Sequence, residues 1–222
     1  MCYILNIETS TKNCSVSIAK NGILISSKEM ANEGYSHAEF LHVFIEKLLE
    51  ETELNLKDLN AIAVSQGPGS YTGLRIGVSA AKGLCFALDI PLIALDTLAI
   101  LANQVHIENG LIVPMIDARR MEVYSAIFNS KLEKTRAVEA QILDENSFSE
   151  IKETIYVLGD CQEKVKTVLT KENFIFLEDK IFPSAKEMAI LSFQKFENKD
   201  FADVAYFEPY YLKDFMITKS AK

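Results

Sequence analysis

The stretch from residue 65 to residue 88 constrains the fold most, because it joins a strand end, a glycine loop and a helix. It reads SQGPGSYTGLRIGVSAAKGLCFAL and follows an apolar run at residues 62–64. Glycine and proline at positions 67–69 predict a tight loop. Thr72 is predicted to cap the next helix by accepting a hydrogen bond from a first-turn N–H. The stretch therefore predicts a strand, a tight loop and a helix at 72–88.

Small residues recur along one side of this predicted helix. Gly73, Gly77 and Ala81 are four residues apart and form one smooth stripe. Glycine inside a helix costs about 0.5–1 kcal/mol relative to alanine, so another backbone is expected against the stripe. Two alternatives follow: the stripe packs on the chain's own sheet, or it receives the helix of a partner.

The order of predicted elements repeats in the two halves of the chain. The first half reads as three strands, a helix at 36–52, a strand at 60–65, the helix at 72–88, a strand and a helix. The second half repeats this order, with short helices expected at 146–152 and 162–169. Two tandem βββαβαβα units predict an α/β chain of two ribonuclease-H-like domains. The predicted domain bounds are 1–107 and 108–222.

Charge and cysteine usage narrow the function classes. The 222 residues carry a net charge of −8, and neither half is basic, so the chain lacks the electrostatic footprint of a nucleic-acid binder. Any role on RNA is expected to run through a partner. The four cysteines are far apart and predict reduced thiols in a cytosolic protein. No signal peptide and no apolar run of about 20 residues is recognised, which predicts a cytoplasmic protein without a membrane span.

Polar residues follow the first strand of each half and the glycine loop. Glu8 and Asp117 are predicted at the ends of equivalent strands, facing a cleft between the halves. N–H groups at a helix N-terminus favour an anion, with a plain structural turn as the alternative. The candidate contacts to a nucleotide or another anion are Glu8, Ser10, Thr11, Gly67, Gly69, Ser70, Thr72, Asp117 and Arg119.

Catalysis by this chain alone is not predicted. The turn after Glu8 has no glycine, and no G-x-x-x-x-G-K-[ST] motif occurs, so independent ATP hydrolysis is not expected. His37 and His42 are five residues apart, or about 140° around a helix, so they do not share a metal ion. Arg119 could pair with a carboxylate or a phosphate. A surface ion pair is the favoured interpretation for Arg120.

Several motifs together resemble one bacterial family. Residues 67–77, GPGSYTGLRIG, resemble the signature of the TsaB (YeaZ) family, and residues 117–124, DARRMEVY, resemble its second signature. Residues 7–16 are similar to its opening hairpin. Residues 183–185 and 209–213 are similar to its C-terminal marks, although a lysine ends the last of these where arginine is more usual.

The resemblance implies a fold and a role. The family has the actin/Hsp70/sugar-kinase (ASKHA) fold. It works with its paralogue TsaD, and with TsaE and TsaC, to place threonylcarbamoyl on the tRNA adenosine next to the anticodon. TsaD carries the metal site, and the TsaB-type protein is its non-catalytic partner and activator. No cofactor or metal of its own is implied, although ATP or ADP could bind at the interface of the complex.

The resemblance also implies an interface. TsaB-type proteins pair with TsaD, or with themselves as a homodimer when alone, through the helices at 36–52 and 72–88, and reach tRNA only within the complex. The candidate interface residues are Leu41, Phe44, Leu48, Gly73, Gly77, Ala81 and Leu84. The alternative function is a small-molecule kinase or ATPase, or a stand-alone peptidase, of the same fold.

Overall fold

Each half of the chain forms one five-stranded sheet. The computed structural model describes residues 1–31 and 37–212. The first sheet has the order β3-β2-β1-β4-β5, with β1 antiparallel to β2 and parallel to β4. Its strands are β1 (Tyr3–Glu8), β2 (Asn13–Lys20), β3 (Ile23–Ala31), β4 (Ala61–Gly67) and β5 (Leu92–Asp96).

The second sheet repeats the topology of the first. Its order is β10-β9-β6-β7-β8, with β6 antiparallel to β7 and parallel to β9. Its strands are β6 (Leu111–Asp117), β7 (Glu122–Asn129), β8 (Lys134–Ile142), β9 (Ile155–Leu158) and β10 (Phe174–Phe176). The predicted tandem of ribonuclease-H-like units is therefore confirmed at the level of the sheets.

The helices differ between the halves. The first half has α1 (His37–Thr52), α2 (Tyr71–Leu88) and α3 (Thr97–Ala102), while the second has α4 (Gln162–Val165) and α5 (Met188–Glu197). A single 3-10 turn follows α1 at Leu56–Asp58. The helix predicted at 146–152 is wrong, because this segment forms only turns. The helix predicted at 162–169 ends at residue 165.

The structure caps α2 at a different residue from the one that the sequence predicts. The cap of α2 is Ser70, whose hydroxyl accepts from the Gly73 N–H, so the prediction of Thr72 as the cap is wrong. Thr72 lies one residue inside the helix instead, because the helix begins at Tyr71. Residues 36 and 213, which the sequence motifs include, lie outside the described residues.

Helix α3 contacts both sheets and connects them, whereas α5 covers the first sheet. Leu98 and Leu101 of α3 pack with Ile112 and Phe128 of the second sheet. Conversely, α5 packs on the first sheet through Met188 and its neighbours. Each sheet is therefore covered in part by a helix that follows the other half's strands or links the halves. The division into domains 1–107 and 108–222 stays a prediction.

A polar seam fastens the segment before α5 to the first sheet. The Asn13 amide donates to the Pro183 carbonyl at 3.1 Å, and the Ser17 hydroxyl donates to the Ala185 carbonyl at 2.6 Å. The Ala185 N–H donates to the Ser15 hydroxyl at 2.8 Å. These buried bonds hold residues 183–185 against β2. Among residues 1–31 and 37–212, no helix is long and apolar enough to cross a membrane.

Candidate functional site

Equivalent turns follow β1 and β6, as predicted, but their environments differ. Glu8 ends β1 and is fully buried, and its Oε1 accepts from the Ser10 N–H at 2.6 Å. Asp117 ends β6, is exposed and forms an ion pair with Lys164. The two carboxylates hold equivalent places in the fold, but only Asp117 is open to solvent.

Burial controls the chemistry of the first carboxyl group. Loss of hydration raises the pKa of Glu8 from 4.5 to about 7, although the hydroxyls of Ser10 and Ser65 beside it act in the opposite direction. A group that titrates near neutral pH suits general acid–base work only where it can reach a substrate. Glu8 does not reach one in this structure, because it is fully buried and the three residues that follow it, Thr9, Ser10 and Thr11, are buried as well.

The glycine loop closes directly onto the turn after β1. The Ser70 N–H donates to the Ser10 carbonyl at 2.6 Å, and a Cβ at Gly69 would lie 2.4 Å from the same oxygen. The Gly73 N–H is taken by the Ser70 hydroxyl at 3.3 Å. The N–H groups of Ser70 and Gly73 at the start of α2 are therefore bonded within the chain and are not free to bind an anion.

This packing divides the predicted anion contacts into two groups. Glu8, Ser10, Thr11 and Gly67 are buried, so in this structure they offer no open surface to an anion, and their role as anion contacts stays a prediction. The physical reason is the close approach of α2 to the turn. The candidates that remain at least partly accessible are Gly69, Ser70, Thr72, Asp117 and Arg119.

The small-residue stripe faces the chain's own first strand. A Cβ at Gly73 would lie 2.0 Å from the Thr9 carbonyl, and one at Gly77 would lie 2.2 Å from the Thr9 hydroxyl. That hydroxyl donates to the Gly73 carbonyl at 2.8 Å. Ala81 is buried in the same core. Of the two alternatives, packing on the own sheet is the correct one, and the stripe is not open to a partner helix.

The apolar residues predicted for the interface belong to the same core. Leu41, Phe44 and Leu48 of α1 are buried against the first sheet. Leu84 of α2 is the exception, since it is partly exposed between the two helices. Helical spacing identifies an apolar face, but it does not tell a face on the own sheet from a face on a partner.

The outer side of α2 carries a second small-residue stripe that the sequence reasoning missed. Ser79, Gly83 and Ala87 are four residues apart and exposed. Nothing lies within 4 Å of the place that a Cβ would take at Gly83. Phe86, next to this stripe, is 85% exposed. The sequence signal was present as a second four-residue spacing of small residues in the same helix.

The C-terminal tail covers another flank of α2. The Ala202 N–H donates to the Leu92 carbonyl at the free edge of β5, at 2.8 Å. The Lys82 ammonium donates to the carbonyls of Ala205 and Phe207, at 3.1 and 2.9 Å. The tail thereby binds the side of α2 that faces away from α1.

The end of the described tail fastens the glycine loop. The Tyr210 N–H donates to the Gln66 carbonyl at 2.7 Å. The Tyr211 ring lies 5.2 Å from the ring of Tyr71, and the Arg75 guanidinium lies 4.2 Å from the Tyr71 ring centre. With β1, α1 and the tail on three sides of α2, the stripe of Ser79, Gly83 and Ala87 is left facing solvent.

The turn after β6 is open and presents two arginines. Arg119 and Arg120 both adopt left-handed backbone conformations, with φ of 71° and 52°, and both are exposed. Lys164 holds this turn by donating to the carbonyls of Arg120 and Glu122, at 2.8 and 2.7 Å. Sequence reasoning missed Lys164, because nothing in its local pattern connects it with a turn more than forty residues away.

No metal centre is found among the residues that the structure describes. His37 is buried next to the turn after β1, whereas His42 and His106 are exposed. Within 1–31 and 37–212, no group of three or more histidine, cysteine or acidic side chains could hold a metal ion. The four cysteines, all buried, form no disulfide.

Comparisons with known proteins identify the relatives of this sequence. The family model described as "TsaD: tRNA N6-adenosine threonylcarbamoyltransferase" matches residues 29–217. The tRNA threonylcarbamoyladenosine biosynthesis protein TsaB of Bacillus subtilis is 30% identical over 95% of this chain and 93% of its own. The TsaB of Buchnera aphidicola from Schizaphis graminum is 31% identical over 83% of this chain and 90% of its own. A tRNA N6-adenosine threonylcarbamoyltransferase of Staphylococcus haemolyticus is 39% identical over 51% of this chain and 37% of its own.

Solved structures agree with the sequence relatives. YeaZ from Pseudomonas aeruginosa superposes with a TM-score of 0.81 and 27% identity, covering 96% of this chain and 100% of its own. Component A of (R)-2-hydroxyglutaryl-CoA dehydratase from Acidaminococcus fermentans has a TM-score of 0.52 at 9% identity, covering 88% and 99%, and shows the fold alone. The fold is the α/β ASKHA fold, as predicted. By its sequence and its fold, the chain belongs to the TsaB (YeaZ) family.

Proposed function

We propose that this chain acts in tRNA modification as the non-catalytic partner that binds and activates a TsaD-family transferase. The names of its relatives support the pathway, since they are called tRNA threonylcarbamoyladenosine biosynthesis proteins. The observation that carries the partner role is the outer face of α2, centred on Gly83. We place this complex in the cytoplasm.

Gly83 lowers the stability of α2, and no contact within the described part of the chain requires a glycine at this position. Glycine in the middle of a helix is about 0.5–1 kcal/mol less favourable than alanine. At Gly73 and Gly77 the chain's own Thr9 excludes a side chain, but at Gly83 the space is empty. A partner helix that approaches within the usual 8–10 Å of α2 would need this space. The glycine is therefore explained by a docked backbone.

Apolar surface around Gly83 would supply the binding energy. Ile76, Ala80 and Leu84 are partly exposed on the side toward α1, and Phe86 projects on the other side. Burying a leucine or phenylalanine side chain stabilises a complex by about 1.5–3 kcal/mol, and a few such anchors dominate most interfaces. A TsaD-type protein is related in sequence to about half of this chain, so we expect it to offer an equivalent helix pair. A second copy offers the same pair, so a homodimer is expected without the partner.

Gly83→Leu tests the proposal. The variant should fold and melt at the wild-type temperature or above, because the site is open and leucine favours helix. It should lose at least about tenfold in affinity for the TsaD-family protein of the same genome, measured with both purified proteins. Gln194→Leu, an exposed helical site on α5 at the opposite face of the first sheet, is the matched control. Wild-type affinity of Gly83→Leu would contradict the proposal.

ATP turnover separates the proposal from its alternative, a kinase, ATPase or peptidase acting alone. The buried state of Glu8, Ser10 and Thr11 supports an accessory role. We expect no turnover by the pure chain, and turnover only when the TsaD-family protein and TsaE are added. Steady hydrolysis by the chain alone would reverse the assignment. Contact of ATP or ADP with Thr72 or Arg119 at the shared interface, and access to tRNA only through the complex, stay predictions.

A further inference from the structure

A small cavity lies between α2 and the C-terminal tail, on the flank of α2 that the tail covers. Its volume is about 330 Å³, at the lower end of the range of about 300–1,000 Å³ that is usual for small-molecule sites. One wall is α2 from residue 75 to residue 82, and the other is the tail at residues 207–209 and 211. The cavity therefore lies where the motif at 67–77 meets the C-terminal motif at 209–213.

Two cations on α2 point toward this cavity. Arg75 and Lys82 are seven residues apart, or nearly two helical turns, so they lie on the same side of the helix. Both side chains line the cavity. Ser79 lies between them and adds an exposed hydroxyl, while the buried Val78 closes the floor. This wall therefore combines two positive charges with a hydroxyl that can donate a hydrogen bond.

The Arg75 guanidinium is held in place but is not used up. Its Nε donates to the Tyr211 hydroxyl at 3.3 Å, and its plane lies 4.2 Å from the ring centre of Tyr71. These contacts use one of its five N–H donors. Within residues 1–31 and 37–212, its terminal nitrogens form no hydrogen bond and no ion pair. They remain able to bind a carboxylate or a phosphate through two parallel hydrogen bonds.

Lys82 is held in the same way. Its ammonium donates to the carbonyls of Ala205 and Phe207, at 3.1 and 2.9 Å. An ammonium group has three protons, so one remains for a ligand. In the described part of the chain no carboxylate forms an ion pair with Lys82. Two cations that the fold already holds in place lose little conformational entropy when an anion binds to them.

The tail restricts what else the ligand carries. Phe207 and Pro209 are partly exposed and give the cavity an apolar wall. Glu208 is exposed at the same wall and acts electrostatically on Arg75. This carboxylate repels a second negative group, but it accepts a hydrogen bond from a hydroxyl or an ammonium group. The chemistry of the walls therefore suits a small molecule with one anionic group and a compact apolar body.

We propose that this cavity binds a small organic anion, whose phosphate or carboxylate group lies between Arg75 and Lys82 and whose body packs on Phe207 and Pro209. The proposal does not depend on the proposed function, because the chain itself supplies every group that contacts the ligand. A guanidinium pairs with both kinds of anion, so the experiment has to separate them.

The first measurement is a titration of the free, full chain with phenyl phosphate, with benzoate and with the neutral benzyl alcohol, at constant ionic strength. The amide NMR signals of Val78 and Ser79 report binding. We expect saturable shifts with a dissociation constant of about 1 mM or tighter for at least one anion, and none for benzyl alcohol. The anion that binds more tightly identifies the anionic group of the ligand. If neither anion saturates the signals, the proposal is overturned.

The second measurement compares two double variants of equal net charge. Arg75→Gln with Lys82→Gln removes both cations of the cavity and should weaken the better anion at least about tenfold. Lys152→Gln with Lys171→Gln changes two exposed lysines of the second half and should keep wild-type affinity. Equal affinity in the two double variants would overturn the proposal.

Two single variants separate loss of charge from loss of tail packing. Lys82→Arg keeps the cation and its donors, so it should retain most of the affinity. Glu208→Gln removes the repelling carboxylate and should tighten binding about twofold or more, without disturbing α2. Weaker binding in Glu208→Gln, or a loss in Lys82→Arg as large as in the double variant of the cavity, would show that no anion lies between the two cations.

Discussion

The two halves of the chain share one topology but use the turn after their first strand differently. The turn after β1 is buried beneath the start of α2, and Thr9 and Ser10 have no exposed surface. The equivalent turn after β6 is open, and Arg119 and Arg120 project from it into solvent. Two sheets with the same strand order can therefore differ in how far solvent reaches the ends of their strands.

The helices that follow the fourth strand of each half explain the difference. α2 has eighteen residues, and glycines at positions 69 and 73 allow its start to contact the backbone of residues 9 and 10. α4 has four residues and reaches its turn through one side chain, Lys164. The turn after β1 is therefore buried in the packing of the fold, whereas the turn after β6 is exposed and available for binding.

The largest effect is expected from Gly73→Ala. The new methyl group would meet the Thr9 carbonyl at 2.0 Å, and a backbone atom of a buried turn cannot move aside. Overpacking of this kind costs about 3 kcal/mol or more of the free energy of unfolding. Urea denaturation measures the change. If α2 closes the first turn as described, the melting temperature falls strongly as well.

Gly83→Ala is the matched control on the same helix. Here the methyl group meets nothing, and alanine should stabilise the chain by about 0.5–1 kcal/mol. Opposite signs at positions 73 and 83 are the expected result. A similar small change at both positions would show that α2 is not clamped on the turn.

The second prediction concerns pH. Because burial raises the pKa of Glu8 to about 7, the folded chain keeps a proton that the unfolded chain releases near pH 4.5. Its contribution to stability is complete below about pH 4.5 and is lost as pH rises toward 7. Glu8→Gln keeps the acceptor for the Ser10 N–H and should gain about 2–3 kcal/mol over wild type between pH 5 and pH 8. Denaturation curves at several pH values measure it.

The wild-type chain provides the comparison for this pH series. Its stability relative to Glu8→Gln should fall as the pH rises from 5 to 8, because only the wild type carries the buried carboxyl group at this position. A variant of Glu8 whose stability parallels that of wild type at every pH would mean that water reaches the first turn.

The sheets were predictable because their signals are local. Apolar runs and the loop at 67–69 indicate the strands and their order along the chain without reference to distant residues. The expected helix at 146–152 failed, because its short pattern is also satisfied by successive turns. The sequence did not predict that α3 packs on the second sheet and α5 on the first. Amphipathic spacing identifies the apolar face of a helix, but it does not indicate which sheet that face covers.

The candidate site was predicted as a set of positions but not as an open or closed surface. Glu8 and Asp117 do occupy equivalent strand ends, yet only packing decides which is reachable. The same limit applies to the stripe of Gly73 and Gly77. The sequence correctly placed it on one side of α2, but it left open whether the stripe packs on the chain's own sheet or on a partner helix. Thr9 decided that question, and it lies 64 residues away from Gly73.

The third prediction measures the contact between Thr9 and Gly77 directly. Gly77→Ala alone should cost about 1–3 kcal/mol, because its methyl group would lie 2.2 Å from the Thr9 hydroxyl. In Thr9→Ala the hydroxyl is gone, so the second change should be tolerated better. A double-mutant cycle on unfolding free energies should give a favourable coupling of about 1–2 kcal/mol. Strict additivity would show that the two residues do not meet.

The smallest effect is expected in the second half, from Lys164→Met. Lys164 is partly exposed, and its ammonium group holds two carbonyls and the Asp117 carboxylate, so its loss should cost about 1 kcal/mol. The loss should act locally, since Arg119 and Arg120 stay in left-handed conformations only while their turn is held. Amide hydrogen exchange at Ala118 and Glu122, whose N–H groups close this turn, should quicken while that of β7 stays unchanged. Lys166→Met, on the same segment but paired with Glu178, should leave those amides alone. Unaltered amide exchange in Lys164→Met would mean that the open turn keeps its shape without α4. The two turns would then no longer differ as described, because the turn after β6 would not depend on the Lys164 side chain.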